Sequence, residues 1–89
     1  MYDYIKGTIT CLKNNAIVLD NNGIGYLIYV SNPYSFEVSK EYKVFVYQKV
    51  AEDENSLYGF YSESERDLFL KLINNFEIDS SLIEAKSLP

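Results

Sequence analysis

The spacing of apolar residues in this chain changes once, and the change divides its 89 residues into two kinds of structure. Up to Phe60 the apolar residues fall in short runs rich in Tyr, Ile, Val and Thr, the signature of strands. Tyr2–Leu12, Ala16–Leu19, Gly25–Val30, Tyr42–Val50 and Ser56–Phe60 read as five strands. Lys13-Asn14-Asn15 and Asp20-Asn21-Asn22-Gly23 read as turns, because Asn and Gly tolerate positive φ. Ser31 to Lys40 contains Asn32-Pro33 and reads as an irregular connection, with a helical turn near Tyr34-Ser35-Phe36. Beyond Phe60 the period becomes helical. Ser62-Glu63-Ser64-Glu65 fits a capping box. Leu68, Phe69, Leu72, Ile73 and Phe76 then recur on one apolar face. Asn74-Asn75 ends that helix, and a short second helix can start between Asp79 and Ser81.

The expected fold is therefore mainly β: a small five-stranded barrel of the OB type, one α-helix, and a possible short second helix. A three-stranded meander with a separate hairpin is the alternative. Gly7, inside the first strand, signals a bulge or a tight barrel bend. The third strand is apolar on both parities, with Tyr26, Ile28 and Val30 on one and Leu27 and Tyr29 on the other. A barrel strand of that kind needs a helix or a second subunit over its outer face. In the fourth strand Val44, Val46 and Val50 share one face, and Lys43, Phe45, Tyr47 and Lys49 the other.

Composition removes most chemistry. The chain has no His and a single cysteine, Cys11. Nucleophile systems that rely on His are therefore excluded, as are a structural zinc tetrad and an intrachain disulfide. A lone Cys and the absence of a secretory signal point to a reducing cytoplasm. No apolar run approaches the ~20 residues of a membrane helix. There is no P-loop, and Gly23-Ile24-Gly25 precedes a strand rather than opening a helix, so it is no dinucleotide fingerprint. Asp20 is not followed at calcium-loop spacing by a Glu, since Ser31 stands there. No catalytic residue and no cofactor is expected.

Two features remain. The first is an acidic turn, Ala51-Glu52-Asp53-Glu54-Asn55, between the fourth and fifth strands. Most charge runs in turns only keep a loop solvated. Mg²⁺ capture by Glu52, Asp53 and Glu54 would need a more rigid cage than a turn tip. The second is tyrosine, nine in all. Stacking platforms for single-stranded nucleic acid use such rings inside basic grooves. Here eight basic residues are scattered among thirteen acidic ones, for a net charge of −5. Core or interface packing is the plainer reading of Tyr26, Tyr29, Tyr42 and Tyr47.

Leu57-Tyr58-Gly59-Phe60, followed by Glu65-Arg66, Leu68-Phe69 and Leu72-Ile73, resembles the end of the N-terminal domain of the RuvA family. These are the Holliday-junction-binding subunits of the bacterial RuvAB branch-migration complex. Ile5-Lys6-Gly7 resembles the family's first strand, and Gly23-Ile24-Gly25-Tyr26 its glycine-rich turn into the third. The likeness runs from residue 1 to about 76. It implies an OB-fold barrel at 1–61, a packing helix at 62–76, and fourfold assembly. It also places Glu52 and Asp53, with Glu54 as a third acid, at the family's acidic pin, where carboxylates repel phosphates and keep strands apart. Tyr29, Phe45 and Tyr47 are candidates for the subunit interface.

Next in the family comes a helix-hairpin-helix of the form Gly-Val-Gly-Pro-Lys, whose glycines bring backbone N–H groups to phosphate. Here the matching stretch is Glu77-Ile78-Asp79-Ser80-Ser81. Both glycines are acids and the Lys position is Ser81, so residues 77–89 read as a degenerate or barely begun hairpin with doubtful phosphate binding. The stop at Pro89 fits an N-terminal piece, a divergent protein that continues, or a truncated paralogue. The expected function is that of a non-catalytic junction-binding subunit, giving tetramer assembly and strand separation in recombination and repair. Its partners would be Holliday junction DNA, bound weakly at most by this chain alone, and a RuvB-like motor ATPase reached through regions missing here. The alternatives are a single-strand-binding OB module and a pure oligomerisation domain.

Overall fold

The computed structural model describes residues 2–73. Five strands, β1 (Tyr4–Leu12), β2 (Ala16–Asn21), β3 (Ile24–Tyr29), β4 (Glu41–Ala51) and β5 (Glu54–Phe60), close a barrel in the order β1-β2-β3-β5-β4. A 3₁₀ turn, Pro33–Ser35, lies in the β3–β4 connection, and a helix, α1, follows over residues 63–73. The expected mainly-β, OB-type barrel with one helix is thus the architecture found, and the meander with a separate hairpin is excluded. The end of α1 near Asn74-Asn75, Phe76 and the second helix lie outside the described residues.

Each junction has a local cause. β2 turns into β3 through Asn22 and Gly23 alone, both at positive φ (52° and 84°), as a primed hairpin turn requires. The Gly23 amide donates to Asp20 Oδ1 at 3.0 Å. β3 and β5 run parallel and meet at only two register pairs, Ile28–Leu57 and Tyr29–Tyr58. That short seam is what closes the barrel.

Ile5, Ile9, Ile17, Leu19, Ile28, Val44 and Val46 fill the interior, alternating along their strands. Phe36, from the β3–β4 connection, joins this core. It is buried and stacks on Tyr61, with centroids 4.6 Å apart and planes at 5°.

Gly7 marks no bulge. The register irregularity of β1 lies between Ile9 and Cys11. Gly7 is instead where β2 crosses closest, and a Cβ there would sit 2.2 Å from the Asp20 carbonyl oxygen. Val50 also departs from expectation. It belongs to the Val44–Val46 face, yet it is 71% exposed. β4 pairs with β1 only as far as Phe45 but with β5 out to Ala51, so the strand overruns the barrel interior before it reaches Val50.

The helical face is rotated from the one expected. Leu68 and Leu72 are exposed, at 58% and 60%. Arg66 is buried, and Phe69, Leu70 and Ile73 are half-buried. Ser62 Oγ caps α1 by accepting from the Glu65 amide at 3.2 Å. Its own hydroxyl lies 3.1 Å from Ser64 Oγ.

Candidate functional site

The overrun of β4 and β5 builds a two-stranded arm. Gln48 to Ala51 pair with Glu54 to Leu57 in antiparallel register, and beyond Leu57 toward the tip β5 has no β3 partner. A two-stranded ribbon is only marginally stable by itself. Side chains supplement it on each face. Gln48 Nε2 donates to Asn55 Oδ1 at 3.0 Å on one, and Lys49 Nζ lies 3.4 Å from Glu54 Oε2 on the other.

The turn at the end of the arm is two residues long, Glu52 and Asp53, both exposed. Glu54 is the first residue of β5 and is half-buried. Its Oε1 accepts from Ser56 Oγ at 3.2 Å and from the Tyr58 hydroxyl at 3.4 Å. The three acids therefore do not converge, and no cation-binding cluster of acidic, His or Cys side chains forms among the described residues. What the arm offers is two exposed carboxylates at its tip, with no ion-pair partner among the described residues. Two adjacent carboxylates give the tip a local negative charge.

The expected interface and stacking residues have partners inside the chain. On the outer face of β4 and β5, Phe45 is opposite Phe60 and Tyr47 opposite Tyr58. Tyr29 joins the same row through Tyr58, at 5.8 Å. Phe69 of α1 lies over it, 5.0 Å from Phe60, 6.1 Å from Tyr47 and 6.4 Å from Tyr58. The chain's own helix thus covers the outer aromatic face of β4 and β5, whereas Leu27 on the outer face of β3 stays exposed. Tyr26 packs edge-on to Tyr2, and Tyr42 to Phe36. An apolar groove of about 510 Å³ lies beside this cluster, lined by Tyr29, Val30, Tyr58, Phe60 and Phe69 among others.

Arg66 fastens α1 to the barrel. Its guanidinium donates to the Asp3 carbonyl at 2.7 Å and to the Asp3 carboxylate, lies 3.3 Å from Asp67 Oδ1, and sits over the Phe45 ring. The Asp3 hydrogen bond holds it further toward its charged form than an ordinary arginine. Arg66 enters the sequence pattern only through the Glu65-Arg66 likeness, because it lies off the expected apolar face.

Half or more of the cations among the described residues are bound to neighbours within the chain. Among the described residues, Lys6 pairs with Glu41, Lys40 with Glu37, Lys49 with Glu54 and Arg66 with Asp3. The Glu37 hydrogen bond keeps Lys40 above the usual lysine range. Lys43 lies over the Tyr4 ring at 4.2 Å. No helix among the described residues is long and apolar enough to cross a membrane. Glu77, Asp79 and Ser81 lie outside the described residues.

Comparison with known proteins is specific. The family model described as "RuvA N terminal domain" matches residues 1–59. The chain is 47% identical over 76 residues to the "Holliday junction branch migration complex subunit RuvA" of Streptococcus uberis, covering 83% of this chain and 39% of that protein. It is 50% identical to the protein of the same name from Streptococcus pneumoniae, with the same coverage. Against the one from Streptococcus equi subsp. zooepidemicus it is 49% identical, covering 83% and 38%. The chain thus spans about two fifths of the length of these relatives.

Proposed function

The chain belongs to the RuvA N-terminal domain family, and from that membership we propose that it is the barrel module of a non-catalytic Holliday-junction-binding subunit. It works in the cytoplasm, in branch migration during recombination and repair. A separate RuvB-like ATPase supplies the motor through regions other than this barrel. Four copies assemble around the junction, with Tyr29, Phe45 and Tyr47 near the subunit contacts, and bring four arms together at the crossover. There Glu52 and Asp53 repel the phosphates of strands that would otherwise re-pair or run on as plain duplex.

The observation that carries this reading is the placement of Glu52 and Asp53 alone at the tip of an arm that outruns the barrel. The pairing of Lys6, Lys40, Lys49 and Arg66 with acids supports a second element of the proposal. The barrel itself offers DNA only scattered cations, Lys13 and Lys43 being outside these pairs, and the family's phosphate-binding hairpin is degenerate in sequence here at Glu77, Asp79 and Ser81. Attraction must then come from elsewhere in the assembly. A single-strand-binding role loses its platform, because the aromatic row lies beneath Phe69.

The test is junction and duplex binding by the full-length protein with Glu52→Gln and Asp53→Asn together, across a salt series. Removing two negative charges near phosphate should tighten duplex binding several-fold and lower the preference for junctions, most at low salt. Unchanged affinity for both substrates would end the pin reading.

A further inference from the structure

Resting on the reading of Glu52 and Asp53 as the repulsive tip, we propose that Glu54 is a positioning residue rather than a third repelling acid. Its carboxylate cancels Lys49 and ties the arm to the aromatic cluster, so that two carboxylates, not three, meet the DNA.

The three acids are consecutive, but the start of β5 separates them. Glu52 and Asp53 are exposed turn residues. Glu54 falls on the strand face that also carries Lys49, Ser56 and Tyr58. Both of its oxygens are engaged, Oε1 by the Ser56 and Tyr58 hydroxyls and Oε2 by the Lys49 ammonium. The Tyr58 ring is in turn held between Tyr29, Tyr47 and Phe69. Glu54 thus links a ribbon with no third strand to the part of the barrel that α1 covers. It also has a second effect. Lys49 lies near the tip, and an unpaired ammonium there would attract the phosphates that Glu52 and Asp53 repel.

The arrangement can be tested without DNA, by hydrogen exchange at the amides of residues 50 to 55 in the 89-residue chain. The variants are Lys49→Gln, Glu54→Gln and the two combined, with the amides of Ile17 and Ile28 as controls for an intact barrel. Exposed ion pairs are individually weak, so each single change should speed arm exchange only about two- to fivefold. Both variants break the Lys49–Glu54 pair, so the double should be no faster than Glu54→Gln alone, which also weakens the Ser56 and Tyr58 contacts. In the full-length protein both singles should lower junction preference. Independent charges acting on DNA would behave otherwise. Lys49→Gln would loosen duplex binding without lowering junction preference, the double would cancel, and arm exchange would not move. That outcome overturns the proposal. Glu52→Gln with Asp53→Asn should leave arm exchange unchanged. If that pair also leaves junction preference unchanged, the pin reading fails, while the exchange result still decides what Glu54 does.

Discussion

At the scale of single residues, the barrel is most sensitive where two strands approach without a side chain between them. A Cβ on Gly7 would meet a main-chain oxygen, the Asp20 carbonyl, at 2.2 Å. Backbone cannot rotate away as a side chain can, so Gly7→Ala must shift β2 bodily. The expected loss exceeds the ~1–3 kcal/mol of ordinary overpacking. A Cβ on Gly59 would instead meet side-chain atoms, Ile28 Cγ2 at 2.5 Å and Val44 Cγ1 at 2.8 Å. Those can give a little, so Gly59→Ala should cost about 1–3 kcal/mol. Urea unfolding of the two variants checks the order, and equal losses would show that β2 yields more easily than its pairing suggests. Phe36 is the opposite case, a large ring buried in the core cluster. Phe36→Ala should cost about 3–5 kcal/mol, since it empties a packed site and strips Tyr42 and Tyr61 of a partner. Nothing in the spacing around Asn32-Pro33 marked Phe36 as core. Its burial depends on a connection that folds back over the barrel, which no local period encodes.

At the scale of elements, the strands were legible because each carries its own alternation and its own turn residues. Asn22-Gly23 specifies a hairpin by backbone chemistry alone. The helix was legible as a helix but not in its orientation. Phe69 and Ile73 of the expected face do turn inward, but Leu68 and Leu72 are exposed and Arg66 is buried in their place. The reason is a partner outside the helix: Asp3, whose carbonyl and carboxylate both receive the Arg66 guanidinium. Leaving a buried guanidinium without its carboxylate is costly, but Asp3 is well exposed and water can replace part of what it gives. Asp3→Asn should therefore destabilise by about 1 kcal/mol, and the loss should appear first as faster exchange in the amides of α1, with the barrel amides unaffected. Leu72→Lys, by contrast, should leave monomer stability within roughly 0.5 kcal/mol, as surface changes do. A large loss for Leu72→Lys would mean that α1 docks through the face the apolar residues suggested. Overrun is the other property of elements that periodicity missed. Val50 keeps the parity of Val44 and Val46, but parity says which side a residue faces and not whether a barrel is still there.

At the scale of the whole molecule, charge sets two processes against each other. One chain carries −5 at pH 7, and four copies would together carry −20. Assembly must overcome that repulsion through apolar contact, and so must any approach to DNA through attraction supplied elsewhere. The sign of net charge was plain in the sequence. Its distribution was not, because pairs such as Lys6–Glu41 and Lys49–Glu54 depend on strand register. Four of the eight basic residues are tied up in such pairs, and the remainder are scattered, so net repulsion between copies dominates at low salt. Screening should then work in opposite directions on the two processes. The Debye length shrinks from ~30 Å at 0.01 M salt to ~10 Å at 0.1 M, so repulsion between subunits fades over that range. Self-association of the chain, followed by sedimentation at fixed concentration, should therefore strengthen as salt rises from about 0.01 M to 0.3 M. Binding of junction DNA by the full-length protein should weaken over the same interval, because each phosphate contact releases counterions. Association that weakened with salt would reveal an interface built on ion pairs instead of apolar faces. A strict monomer at every salt concentration would remove this chain from the proposed fourfold assembly. The four arms would then meet at the crossover only if regions outside residues 1–89 held them there.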